Sequence, residues 1–234
     1  MTIWIFKKRW NINGFKRRVK AKVYIVVFTA LIWCNPMFEE TNWKIVSAEM
    51  IGTLFLVFFG ISAAVSSSTV FEGALSLGLT LMVLMHVFGP ISGCHLNPAV
   101  TIGNMMSKKI SQDDAIGYMG GQIVGATLGF VLIKYLTPGS SDAVVEDDMA
   151  ILVAAVIGTM FFVMALLSTQ DPFAVGATLF VVSSTAFGDV NASIDMGAMI
   201  AWAIDGNADW AFFAVIGSVI GAFLGWGVKD NALD

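Results

Sequence analysis

Six long apolar runs constrain this chain more than any other feature of its sequence. Each is long enough, or nearly so, to cross a bilayer core of roughly 30 Å. The runs are Ile45–Val65, Phe71–Phe88, Ala115–Leu136, Met149–Leu167, Phe173–Val190 and Trp210–Val228. They are continuous and lack the alternation of a membrane β-strand, so they predict a bundle of helices and not a barrel.

The composition places most of the chain in lipid. Of the 234 residues, 57% are hydrophobic and 13% are charged, and the mean hydropathy is +0.79. A soluble domain of this size needs more charge on its surface. We therefore expect an integral protein of the plasma membrane or of a bacterial inner membrane.

Two shorter apolar stretches divide the six runs into two groups of three. Pro98–Met106 and Met196–Ile204 are too short to span a bilayer, and each lies between the second and third runs of a group of three. The two groups resemble each other, since Ala48–Phe55 aligns with Ala154–Phe161. Two groups of three spans have opposite topology, which is the inverted-repeat plan. The sequence thus predicts an all-α membrane protein with six transmembrane helices and two re-entrant half-helices.

Basic residues indicate an orientation. Eight of the 13 lie within Lys7–Lys22, and Lys108 and Lys109 follow the first short stretch, whereas Thr137–Asp148 carries acids and no base. The positive-inside rule then places both termini in the cytoplasm. The basic cluster is also compatible with nucleic-acid binding, but the apolar chain favours the membrane interpretation, with no nucleic-acid partner. We predict a basic extension with a short apolar segment over residues 1–43 and one domain over residues 44–234.

The first short stretch opens with Asn97-Pro98-Ala99. Asn is a good N-cap and Pro is well tolerated at the first helical position, so a helix is predicted to begin here. Within a membrane, that helix directs the positive end of its dipole towards the protein interior. The Asn97 oxygen can cap the helix while its NH₂ group donates to a passing oxygen atom. The alternative is a re-entrant turn with a purely structural role.

Ser92–Gly103 resembles the first signature loop of the major intrinsic protein family, the aquaporins and glycerol facilitators, and Ala48–Gly60 is similar to the first span of that family. The resemblance covers residues 44–229. It implies a passive channel for water and/or small uncharged solutes that is not an enzyme, works without cofactor or metal, and forms a homotetramer in the lipid bilayer. The alternative is a non-conducting or regulatory membrane protein of the same fold.

The second signature tripeptide of the family, and the arginine after it, are missing. The alignment puts Asp195, Met196 and Gly197 on the tripeptide and Ala198 on the arginine, and Asn191–Ser193 is a rival register. An ionised Asp195 accepts hydrogen bonds only, so it cannot donate to a solute as Asn97 can. Whether Asp195 caps its half-helix or faces the pore stays open.

The resemblance also assigns a selectivity filter, a vestibule and a scaffold. The filter positions are small or aliphatic and uncharged, which implies a wider pore that excludes cations less well. The filter residues are Leu77, Ser183, Ala192 and Ala198. Glu49 is implied to hold the backbone of a signature loop, with Gln122 in the same scaffold. His95 either lines the vestibule or makes a structural hydrogen bond, and Cys94 either faces the lumen or is buried.

Overall fold

The computed structural model describes residues 42–63, 69–137, 148–184 and 208–233, and all regular structure in these ranges is helical. The helices, in chain order, are α1 (Trp43–Phe55), α2 (Val70–Ser92), α3 (Pro98–Met106), α4 (Gln112–Leu136), α5 (Asp148–Ser168), α6 (Pro172–Ser184) and α7 (Ala208–Val228). π-Helical segments extend α1 over Leu56–Ile61 and α7 over Lys229–Leu233.

Five helices in the described ranges are long and apolar enough to cross a membrane, namely α1 with its π-helical extension, α2, α4, α5 and α7. Helix α6 covers the first part of the predicted span Phe173–Val190, and α3 coincides with the first predicted half-helix. The rest of that span and the second predicted half-helix, Met196–Ile204, lie outside the described residues. The all-α membrane fold predicted from the sequence is therefore confirmed.

Polar caps explain why three helices begin before their apolar runs. The side chains of Asn42, Thr69 and Ser111 accept backbone N–H groups in the first turns of α1, α2 and α4. Such caps satisfy donors that a helix start leaves unpaired. Helix α2 also continues past its apolar run to Ser92 and is capped by Gly93, whose φ of 80° lies in the left-handed region that favours glycine.

Glycines bring the backbones of paired helices into contact. A Cβ atom at Gly121 of α4 would lie 2.8 Å from the carbonyl oxygen of Val46 in α1. Likewise, a Cβ atom at Gly217 of α7 would lie 2.7 Å from the carbonyl oxygen of Leu152 in α5. Only glycine permits such close approach, so the glycines spaced every four residues along α4 and α7 mark the α1–α4 and α5–α7 interfaces.

These two interfaces repeat each other in register. The matching pairs are Val46–Gly121 with Leu152–Gly217, Met50–Gly125 with Val156–Gly221, and Leu54–Gly129 with Met160–Gly225. The contacts thus align the halves without reference to sequence similarity. In this register Glu49 corresponds to Ala155, and Gln122 corresponds to Ser218.

Candidate functional site

A loop with an unusual backbone joins α2 to α3. Gly93, Cys94 and Leu96 have φ values of 80°, 55° and 50°, whereas His95 between them has no positive φ. The left-handed region costs a residue with a side chain about 1–2 kcal/mol. The conformation of Cys94 and Leu96 must therefore be held by surrounding contacts.

The carboxylate of Glu49 in α1 accepts hydrogen bonds from this loop. Its Oε1 accepts hydrogen bonds from Ser92 Oγ at 2.5 Å and from the backbone nitrogen of His95 at 3.0 Å. Its Oε2 accepts bonds from the backbone nitrogen of Leu96 and from Gln122 Nε2, both at 2.7 Å. Four donors therefore surround a carboxylate that is fully buried. A buried acid is tolerated only when it is hydrogen-bonded in this way.

The backbone geometry and the carboxylate explain each other. Left-handed φ at Cys94 and Leu96, with His95 between them, turns consecutive N–H groups to the same side. Such a concave row of N–H groups binds anions. Here the anion belongs to the protein, because the N–H groups of His95 and Leu96 both point at Glu49. The intramembrane acid therefore offsets the strain of the loop.

Asn97 ends the loop and begins α3. Its Oδ1 accepts a 2.8 Å hydrogen bond from the backbone nitrogen of Ala99, and Pro98 occupies the first turn. The N-cap therefore uses the amide oxygen, which is the acceptor of the side chain, while the NH₂ group is its donor. Asn97 is 4% exposed, so this helix start, with its positive dipole end, lies inside the protein.

A second layer of polar groups supports the loop from α3 and α4. Thr101 Oγ1 lies 3.2 Å from His95 Nδ1 and accepts a 3.0 Å bond from Gln122 Nε2. The hydroxyl of Tyr118 donates to the carbonyl oxygen of Ser92 at 2.7 Å. Neither Thr101 nor Tyr118 is predicted from the sequence to have a role. Both lie within segments that resemble the family, and that is the only signal that could have identified them.

Some of the remaining predicted site residues lie in the described ranges, and the others lie outside them. Cys94 is fully buried, and His95 is 9% exposed with its Nδ1 3.2 Å from Thr101 Oγ1. Leu77 on α2 and Ser183 on α6 are buried, and Ser183 Oγ has no hydrogen-bond partner in the described part of the chain. The other predicted pore residues, Ala192, Asp195, Met196, Gly197 and Ala198, lie outside the described residues.

In the described residues of the second half, the positions that match Glu49 and Gln122 carry no acid. Ala155 occupies the place of Glu49 and is fully buried. Ser218, in the place of Gln122, lies 3.3 Å from Thr159, and this contact joins two hydroxyl groups. Among the described residues, the α5–α7 interface therefore keeps the backbone packing of the repeat without a carboxylate at these two positions.

Comparisons with known proteins agree with this architecture. The chain is 36% identical to aquaporin-5 of Mus musculus over 103 residues, and 38% identical to the lens fiber major intrinsic protein of Oryctolagus cuniculus over 102 residues. Each match covers 42% of this chain and 39% of the relative, so it spans about two fifths of the relative's length.

The fold matches a solved structure over a longer region. The X-ray structure of the aquaglyceroporin from Plasmodium falciparum superposes with a TM-score of 0.71 at 18% identity, over 81% of this chain and 96% of that one. The model of the Major intrinsic protein family matches residues 37–228. The chain therefore belongs to the Major intrinsic protein family.

Proposed function

We propose that this protein is a passive transmembrane channel for water and/or small uncharged solutes. The observation that carries the proposal is the capped start of α3, which sits inside the protein on a loop anchored by Glu49. The relatives named aquaporin and aquaglyceroporin support the same function. Solute would exchange its hydrogen bonds with water for bonds to the Asn97 NH₂ group and to loop carbonyl groups.

The positive end of the α3 dipole would disfavour cations near Asn97. The matching entrance from the second half would contribute less, because Asp195, Met196 and Gly197 replace the family tripeptide and Ala198 replaces the arginine. The filter would consist of Leu77, Ser183, Ala192 and Ala198, which are all uncharged. We therefore propose a widened filter that excludes cations less completely than a filter with arginine.

The topology is proposed from charge. The basic segment Lys7–Lys22 and the pair Lys108 and Lys109 would lie in the cytoplasm with both termini, in the plasma membrane or a bacterial inner membrane. Residues 1–43 would form an extension outside the channel domain, which would occupy residues 44–234. The domain would assemble as a homotetramer with one pore in each subunit.

Reconstitution into liposomes tests the function. Stopped-flow light scattering measures water and glycerol permeability, and an internal pH dye measures proton leak. We expect both solutes to enter faster than into empty liposomes, with a measurable leak. Permeation of water alone with no leak would contradict the widened filter. Folded protein that permeates no faster than empty liposomes would support the non-conducting alternative.

A further inference from the structure

A π-helical segment in the first span lies against a proposed filter residue. Over Leu56–Ile61 the α1 helix widens into π-helical turns. Such segments are rare and occur frequently at functional sites, because each one shifts the register of the side chains that follow. This segment packs on α2, the helix that carries Leu77.

The contact with Leu77 is made through Gly60. A Cβ atom at Gly60 would lie 2.5 Å from Leu77 Cδ1 and 3.3 Å from Leu77 Cα. The first distance requires the side chain to move, and the second is tight enough to press on the backbone. Gly60 therefore forms a notch into which Leu77 fits, and the missing side chain sets how far Leu77 withdraws towards α1.

A hydrogen bond next to the notch fixes its position relative to α2. Ser76, the residue before Leu77, donates from Oγ to the carbonyl oxygen of Phe59 at 3.1 Å, across the two helices. Ser62 reaches the same carbonyl within its own helix at 3.4 Å. On the other side of Leu77, Gly78 abuts α6, where a Cβ atom would lie 2.6 Å from the carbonyl oxygen of Gly176. Leu77 therefore sits on a stretch of α2 that is held on two sides.

We infer that Gly60, together with the Ser76–Phe59 hydrogen bond, is a positioning element that sets the width of the channel at Leu77. The inference rests on the proposed function, because it takes Leu77 as a filter residue. Any side chain at position 60 would push Leu77 away from α1 and into the solute path. Glycerol would then be hindered more than water, because it is the larger solute.

Gly60→Ala in proteoliposomes tests the inference, with Gly89→Ala as the matched control. Gly89 is on α2, and a Cβ atom there would meet nothing within 4 Å. We expect Gly60→Ala to lower the ratio of glycerol to water permeability several-fold and Gly89→Ala to leave it unchanged. Adding Leu77→Ala to Gly60→Ala should raise the ratio to the wild-type value or above. An unchanged ratio in folded Gly60→Ala protein, or no recovery in the double variant, would overturn the inference.

A second measurement does not require conduction. The unfolding temperatures of wild type, Gly60→Ala, Leu77→Ala and the double variant form a thermodynamic cycle. We expect Gly60→Ala to lower the unfolding temperature much less when residue 77 is Ala. If Gly60→Ala lowered the unfolding temperature equally with and without Leu77→Ala, Leu77 would not be packed against Gly60 as inferred. If the wild type conducts neither solute, the proposed function fails, while this cycle still decides whether Gly60 positions Leu77.

Discussion

Glu49 Oε2 accepts a 2.7 Å hydrogen bond from the backbone nitrogen of Leu96, which joins the first span to the loop that precedes the half-helix. This one bond ties a buried acid to a residue with a left-handed backbone. Neither feature is favourable in isolation, and together they stabilise the entrance to α3.

Glu49→Gln should destabilise the protein, because an amide has one acceptor oxygen where the carboxylate has two. Its NH₂ group would also face groups that are themselves donors. The expected loss is roughly 2–5 kcal/mol in the free energy of unfolding. Denaturant titration in detergent measures it. Glu72→Gln is the matched control, since Glu72 is exposed in the first turn of α2. Equal stability of the two variants would contradict the role of Glu49 as an anchor.

The two halves should respond unequally to loss of their corresponding polar residues. Gln122→Leu removes one of the four donors to Glu49 and the amide that donates to Thr101, and we expect it to cost about 1–3 kcal/mol. Ser218→Ala removes a hydroxyl whose contact with Thr159 involves no charged group, so we expect a smaller cost of about 0.5–1.5 kcal/mol. Thermal unfolding of both variants makes the comparison. A loss for Ser218→Ala as large as that for Gln122→Leu would contradict this expectation and indicate an anchor of equal strength in the second half.

The side chain of Asn97 caps α3 with its oxygen and can donate from its NH₂ group. Two substitutions distinguish these roles. Asn97→Asp keeps an oxygen that can cap Ala99 but removes the NH₂ group, so permeability should fall while the half-helix stays capped. Asn97→Ala loses both and should also destabilise the protein by roughly 0.5–2 kcal/mol. Water permeability and unfolding temperature are measured together. Full permeability of Asn97→Asp would mean that the donor is not used.

Glycine packing between α5 and α7 can be tested within one helix. A Cβ atom at Gly221 would lie 2.5 Å from the carbonyl oxygen of Val156, whereas one at Gly227 would meet nothing within 4 Å. Gly221→Ala should therefore cost about 1–3 kcal/mol through overpacking. Gly227→Ala should be neutral or slightly stabilising, because alanine favours helices. Chemical denaturation separates the two, and equal effects would argue against close packing.

The two alternatives for Asp195, a helix cap or a pore-facing carboxylate, predict different contributions to the proposed cation leak, and the pore-facing alternative is tested through its charge. Asp195→Asn removes that charge with little change in size, so proton and cation flux should decrease while water permeability is retained. A fluorescent pH dye in the liposome lumen and stopped-flow scattering measure the two fluxes. Ser183→Ala, at another of the proposed pore positions, serves as a control without a charge change. Unchanged leak in Asp195→Asn would remove Asp195 from the proposed ion path.

Much of the fold could be predicted from the sequence, because helix formation in a membrane depends on residues that are close together in the chain. Lipid leaves no partner for an unpaired backbone, so long apolar runs predict helices whatever their neighbours are. The start of α3 was equally local, because Asn97 and Pro98 cap a helix through groups two residues apart. Helix ends were less well predicted, since the capped first turns are polar and lie outside the apolar runs.

The tertiary structure alone decided which groups meet at the loop. Gln122 reaches Glu49 across 73 residues of sequence, and Leu96 does so across 47. Nor does the residue order indicate the left-handed backbone at Cys94 or the notch at Gly60. These features depend on how closely whole helices pack and at what register, and many distant contacts set that geometry together. The sequence by itself therefore determined the helices and the capped entrance, and packing decided how the entrance is held.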